Sequence, residues 1–198
     1  MGTLVENEYT FVRGTTLYKK YKRVQVFTSG TDSIMMLESF NIHRNWTVNK
    51  YLIKYPDMAL FGWQSTYDIH GTLLTESYCD TLTGRCDVRK QYHYYPNGQY
   101  LAILQYDKRW LEGQSNFYYN SGTLKYTLEY HNNRIWNILA YYDQQGQALF
   151  PGDFSNGSGT MYVYAANGIL LKKKIYRNGR LIKNCTCKGN ADCPCEKK

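Results

Sequence analysis

A glycine returns every 22 to 27 residues through most of the chain, and this period constrains the fold more than any other feature. The anchors are Gly71, Gly98, Gly122, Gly146 and Gly168. An aromatic residue follows each of the last four anchors by eight positions, and a second turn with Lys-Arg, Asn-Asn or Asn-Gly comes shortly after it. A unit this short cannot bury an apolar face alone, so such units stack on their neighbours.

The residues between the turns alternate as strands do. After Gly122 the chain reads Thr-Leu-Lys-Tyr-Thr-Leu-Glu-Tyr, which sets Leu124, Tyr126, Leu128 and Tyr130 on one face. Glycine after Asn, Ser or Gln supplies the positive φ that short hairpin loops need. Gly and Asn at every ten to fourteen residues would break helices. We therefore predict an all-β protein, an antiparallel meander of β-hairpin repeats with a small Cys-rich C-terminal tail.

Composition supports an ordered chain and narrows the membrane alternatives. The 198 residues include 21 Tyr, and aromatics make up 16%, a content that disordered chains lack. The sequence contains no run of about 18 apolar residues, so it predicts no membrane-spanning segment. The first residues show no basic-then-apolar leader. This favours a cytoplasmic location by default, or a secreted or periplasmic one if a leader was trimmed.

The repeated phrase also points to a family. Tyr-Tyr-x-x-Gly-x-Leu, then Tyr-x-Asn-Gly and a further Gly before the next Tyr-Tyr, resembles the MORN repeat variant of bacterial proteins, including those labelled YwqK-family antitoxins. The resemblance is carried by residues 94–98, 113–124, 141–146, 159–168 and 176–179 and covers about 57–183. It implies a non-enzymatic β-repeat sheet that associates with proteins or, in the wider MORN class, contacts membranes and phospholipids.

Two segments depart from the repeat. Residues 148–154, Ala-Leu-Phe-Pro-Gly-Asp-Phe, would put Pro151 and Gly152 inside a strand, which indicates a bulge or an edge. Residues 1–56 are less regular and suit an N-terminal β cap. Within that cap, residues 34–55 look like two strands turning near 43–45, with a short helix around 33–39 as the alternative.

The tail, residues 184–198, carries a different chemistry. Cys185, Cys187, Cys193 and Cys195 form a C-x-C-x5-C-x-C pattern that would converge four thiolates on a structural Zn²⁺. The same cysteines would be disulfides in an oxidising compartment, and free thiols are a third alternative. Cys79 and Cys86 flank a hairpin-like loop and could bridge under oxidation. Metal bound by four sulfurs would be structural, because no coordination position stays open.

The candidate binding residues are aromatic and basic. They are the second tyrosine of each doublet, two tryptophans and a C-terminal cluster of cations: Tyr95, Tyr119, Tyr142, Trp110, Trp136, Lys172, Lys174, Arg177 and Arg180. One tyrosine of each doublet would face outward as a partner anchor. The alternative packs both against the sheet. The cations, in a chain of net charge +8, suit an acidic or anionic partner, or merely solubility and edge protection.

These residues leave three functions open. The first is a protein-binding module with an antitoxin-like or scaffold role. The second is a receptor for a nucleotide, nucleic acid or anionic lipid. The third is a structural component of a larger assembly. The four histidines share no metal-binding spacing, and no nucleophile, P-loop or dinucleotide motif occurs, so we predict that the protein is not an enzyme.

Overall fold

The computed structural model describes residues 3–13, 16–29, 32–41, 47–55, 59–60, 62–68, 70–80, 83 and 85–187, with side chains from residue 62 onward. Strands account for all regular structure in these ranges, and no helix occurs in them. The predicted all-β class with antiparallel hairpins is therefore confirmed. The Cys-rich tail is described only as far as residue 187.

The chain divides into two compact units, Met1–Gln91 and Tyr92–Lys198. The first unit contains antiparallel strands paired mainly in chain order, with β5 beside β4. They are β1 (Thr3–Arg13), β2 (Thr16–Ser29), β3 (Asp32–Asn41), β4 (Thr47–Tyr55), β5 (Ala59–Leu60), β6 (Gly62–Tyr67), β7 (Leu73–Cys79) and β8 (Val88–Tyr94), the last of which crosses the boundary. The strand pair predicted within 34–55 is confirmed as β3 and β4. The helical alternative at 33–39 is wrong, because β3 covers it.

The second unit holds two sheets. Its first sheet runs in the order β9, β11, β12, β13, with β10 beside β9. These strands are β9 (Tyr100–Asp107), β10 (Trp110–Leu111), β11 (Gly113–Tyr118), β12 (Leu124–His131) and β13 (Arg134–Tyr141). The other sheet has three strands in chain order: β14 (Gly159–Tyr164), β15 (Leu170–Arg177) and β16 (Arg180–Thr186).

The antiparallel meander is interrupted between β13 and β14, which belong to different sheets. Residues 142–158 form only isolated bridges, such as Gly152 with Met161. Pro151 has no N–H to donate to a ladder. Gly152 has φ of 98°, and a Cβ there would overlap the carbonyl oxygen of Thr160. The segment predicted to be a bulge or an edge lies along β14, an end strand of its sheet, and the Tyr162 N–H donates to the Pro151 carbonyl at 2.9 Å.

The core of the second unit lies where its two sheets meet. Leu128 of β12, Phe154 and Met161 of β14 are buried and form one cluster. Half-buried aromatic and aliphatic side chains surround them: Phe117, Tyr126, Tyr130, Ile135, Ile138 and Tyr176. Burial of this apolar surface is the main favourable term that holds the two sheets together.

Candidate functional site

Tyrosine hydroxyls join neighbouring turns of the first kind, the turns that contain the anchor glycines. Tyr95 donates its hydroxyl to the carbonyl of Tyr118 at 2.9 Å, and Tyr119 donates to that of Tyr142 at 3.0 Å. Tyr119 is 7% exposed, and burial is the main cause that raises its pKa to about 12. Two of the tyrosines predicted as partner anchors therefore bind the next repeat, as the packed alternative describes.

The third doublet is out of step with the others by one residue. Each anchor glycine donates its N–H to the carbonyl three residues earlier, which is Tyr95 for Gly98 but Asp143 for Gly146. Asp143 thus takes the place of the second tyrosine, and its carboxylate accepts the N–H groups of Gln145 and Gln147. The distance to the glycine, rather than the Tyr-Tyr letters, would have revealed this register. Tyr142 is half-buried.

The two tryptophans lie just after turns of the second kind, those at residues 108–109 and 132–133. Trp110 is 43% exposed, and the Arg109 guanidinium lies 5.4 Å from the centre of its ring. Trp136 is half-buried, with the imidazole of His131 at 5.4 Å. Both positions stay predicted partner residues.

A cleft of about 180 Å³ opens beside Trp136 and contains a His–Glu pair that the sequence did not reveal. Nδ1 of His131 lies 2.7 Å from Glu112, whose other oxygen accepts the Asn132 N–H at 2.9 Å. These hydrogen bonds, from Asn132 first and His131 second, lower the pKa of Glu112. The second carboxylate of the cleft, Glu129, accepts the amide of Asn137.

The role of Glu112 recurs in the following turns with other residue types. Asn156 donates its N–H to the side-chain oxygen of Asn137 at 2.9 Å, and Asn178 donates to the Ser158 hydroxyl at 3.1 Å. Both receiving residues come from the preceding repeat, as Glu112 does for Asn132. The Glu112 carboxylate is therefore used in joining repeats.

The three-stranded sheet β14–β16, called the basic sheet below, has charged side chains of positive sign only. From Phe154 to Cys187 the sequence contains no acidic residue but six cations, namely Lys172, Lys173, Lys174, Arg177, Arg180 and Lys183. Across β15 and β16, Lys172 lies opposite Thr186, Lys174 opposite Asn184, and Arg177 opposite Arg180. None of these cations has a carboxylate as its cross-strand neighbour, and like charges directly opposite are unfavourable.

Most of these cations are accessible. Lys172, Arg177, Arg180 and Lys183 are exposed, and Lys174 is half-buried. None of these five forms an ion pair with another residue that the structure describes. Lys173 differs: it is 9% exposed, and its amine lies 4.9 Å from the centre of the Tyr162 ring.

Aliphatic side chains lie among the cations. Leu181 is 49% and Ile182 60% exposed on β16, and Ile169 and Leu171 are exposed around the start of β15. Sequence reasoning selected the charges but missed these residues, because an alternating pattern does not show that both faces of β16 are uncovered. The signal available was the adjacent pair Leu181-Ile182 in the last strand.

The four cysteines that the structure describes are oxidised. Cys79 and Cys86 form a disulfide, as the oxidised alternative predicted. Cys185 and Cys187 are also disulfide-bonded, with partners outside the described residues, where Cys193 and Cys195 lie. Among the described residues no three His, Cys, Asp or Glu side chains could hold a metal ion together. Zinc binding needs thiolates, so the predicted zinc site applies only to a chain whose cysteines are reduced.

No family model, curated protein or solved structure matches the chain. The fold defines the class as an all-β protein of antiparallel hairpin repeats. The resemblance to the MORN repeat variant stays a prediction. No helix in the described part of the chain is long and apolar enough to span a membrane.

Proposed function

We propose that the chain is a non-enzymatic β-repeat binding module, which binds an acidic partner protein through the basic sheet. The observation that carries the proposal is a set of five accessible cations, Lys172, Lys174, Arg177, Arg180 and Lys183, in a stretch from Phe154 to Cys187 that contains no carboxylate. A sheet selected only for stability would gain from opposite charges across its strands. Unpaired cations beside exposed aliphatic groups instead suit a partner that supplies both carboxylates and apolar side chains.

The neighbouring apolar groups favour a protein over single-stranded nucleic acid. Nucleic-acid surfaces of this kind stack bases on accessible aromatic rings. On β15, on β16 and just before β15 the exposed apolar groups are Leu171, Leu181, Ile182 and Ile169, all aliphatic, whereas the exposed ring of Phe150 lies against Tyr162 of β14. Tyr162 and Tyr164 of the same sheet are half-buried and contact Phe150 or each other. An anionic lipid surface remains the competing partner, and the test below separates it from a protein.

The test compares three anionic probes at low and physiological salt. These are a synthetic acidic peptide of alternating Glu and Val, a single-stranded oligonucleotide, and vesicles containing phosphatidylserine. We expect the peptide to bind, with an affinity that falls as salt rises. Binding of the vesicles or oligonucleotide alone would overturn the proposal in favour of that ligand, and binding of none would overturn it outright.

A charge reversal assigns the binding to the basic sheet. Arg180→Glu/Lys183→Glu replaces two attractions by two repulsions. At about 0.5 kcal/mol for each lost or added interaction this costs about 2 kcal/mol, roughly a thirtyfold loss in affinity. The matched control is Lys108→Glu/Arg109→Glu, an equal charge change at an exposed turn of the same unit. Equal losses in the two variants would show that only net charge matters.

We also infer that the protein matures in an oxidising compartment. The disulfide of Cys79 with Cys86 and those of Cys185 and Cys187 support this, because structural disulfides persist outside the cytosol. Thiol titration of the unfolded protein from its native source should find no free thiols. Six titratable thiols would return the location to the cytoplasm.

A further inference from the structure

We propose that the acidic partner binds as an extended strand added to the outer edge of β16. The proposal rests on the function just proposed and specifies how the partner is held. The two outer strands of the basic sheet differ. The edge of β14 is covered by residues 150–153, through the bond from Tyr162 to Pro151 and a bond from the Thr160 N–H to the Asp153 carboxylate at 2.6 Å. No described residue pairs with the outer edge of β16.

The backbone groups at this edge follow from the register. Cys187 donates its N–H to the Leu171 carbonyl at 2.8 Å, so Cys187 points toward β15. N–H and C=O groups of successive strand residues point to opposite sides. Cys185, opposite Lys173, therefore also bonds toward β15, whereas Asn184 and Thr186 direct their N–H and C=O groups outward. Two donors and two acceptors are thus available to an added strand.

The side chains along the edge define the sequence that such a strand would carry. Every residue from Arg180 to Asn184 is exposed. Leu181 and Ile182 offer apolar contacts, while Arg180 and Lys183 offer positive charge. The register shift in β16 sets Arg180 opposite Arg177 and Lys183 opposite Ile175, so the two cations lie on one face, while Leu181, opposite Tyr176, lies on the other. An extended peptide that alternates acidic and apolar residues would present carboxylates to the cations and apolar side chains to Leu181.

Self-association and edge protection both account less well for the residues of β16. Pairing of β16 with β16 of a second copy would bring Arg180 and Lys183 close to the same cations of that copy, which costs energy. The cations alone could guard the edge against association. A guarded edge, however, gains nothing from Leu181 and Ile182 at 49% and 60% exposure.

The test uses proline as a probe of the outward N–H. Asn184→Pro removes this donor but no bond to β15, because prolines are accepted in edge strands where the N–H faces solvent. Asn184→Ala keeps the N–H and is the control. We expect the alternating Glu-Val decapeptide to bind the proline variant roughly tenfold more weakly and the alanine variant within about twofold of the wild type. Circular dichroism and melting of both variants show whether they fold.

A second measurement on the wild-type protein keeps the proposal testable if Asn184→Pro does not fold. Hydrogen exchange of the amides of Asn184 and Thr186 should slow when the decapeptide is bound. A block peptide of five Glu and five Val should give no such protection. If both peptides bind equally and neither protects these amides, strand addition is wrong while the binding of acidic partners stands. If neither peptide binds at low salt, both proposals are wrong.

Discussion

Replacing Tyr119 by Phe tests whether tyrosine hydroxyls hold neighbouring repeats together. The substitution removes one oxygen and keeps the ring of a residue that is 7% exposed. That oxygen donates the 3.0 Å hydrogen bond to the carbonyl of Tyr142, in the next repeat. The variant thus isolates one contact between repeats from the packing around it.

The expected magnitude follows from burial. A typical hydrogen bond contributes about 1 kcal/mol net, and a buried acceptor left without its donor costs about 1–3 kcal/mol. Because Tyr119 is buried but the acceptor belongs to the half-buried Tyr142, we expect Tyr119→Phe to lower the free energy of unfolding by about 1.5 kcal/mol, in the lower part of this range. For a chain of this size that corresponds to a fall in Tm of roughly 3–6 °C.

Tyr95→Phe is the matched control, measured by urea unfolding and thermal melting in parallel. Tyr95 makes the same bond at 2.9 Å but from a half-buried position, where water can replace the lost donor. We expect less than half the loss seen for Tyr119→Phe. A Tyr119→Phe variant within about 0.3 kcal/mol of the wild type would refute the role of the hydroxyl, since such a change lies below the usual net value of a hydrogen bond.

Three further predictions concern the turns and the tyrosines. Lys108 has φ of 54°, a backbone conformation that strains a Lys, so Lys108→Gly should raise the free energy of unfolding in urea by about 0.5 kcal/mol. Asn132→Gly should change it little, because Asn tolerates this conformation. A lower stability of Lys108→Gly would contradict the presence of strain at Lys108. Gly152→Ala should lower the free energy of unfolding by more than about 2 kcal/mol, because its Cβ would overlap the Thr160 carbonyl oxygen. Gly98→Ala should lower it by only about 1 kcal/mol, because a Cβ there meets nothing within 4 Å. Equal melting temperatures of the two variants would refute this difference. Burial is the main cause that raises the pKa of Tyr130 from 10.0 to about 12. The contribution of this shift to stability is therefore complete below pH 10 and is lost as the pH rises toward 12. In ultraviolet titration of the phenolates, Tyr130→Phe should show one late-ionising tyrosine fewer than the wild type.

The hairpin units were predictable because their signals are local. Gly98 and Gly122 adopt the positive φ that their turns require, and strand alternation places Leu128 in the core and Tyr130 against it. The doublet at 141–142 misled the repeat alignment. The turn register depends on the bond from the glycine N–H to the carbonyl three residues earlier, and aromatic identity at neighbouring positions does not specify it.

The candidate site was predictable only in its charges. Arg180 and Lys172 are visible as cations in the sequence. Lys173 looks identical there, yet the structure buries it against Tyr162. The uncovered faces of Leu181 and Ile182 depend on what lies above and below β16, which is information about distant segments.

The sequence by itself determined the class of the fold, because glycine spacing and period-2 alternation act over a few residues and leave only hairpins as a solution. It also determined that the C-terminal end is basic. The tertiary structure decided that the last three strands form a sheet of their own, because Pro151 and Gly152 interrupt the ladder and Phe154 packs with Leu128 and Met161. It also decided which edge is covered among the described residues: residues 150–153 lie along β14, while no described segment pairs with the outer edge of β16.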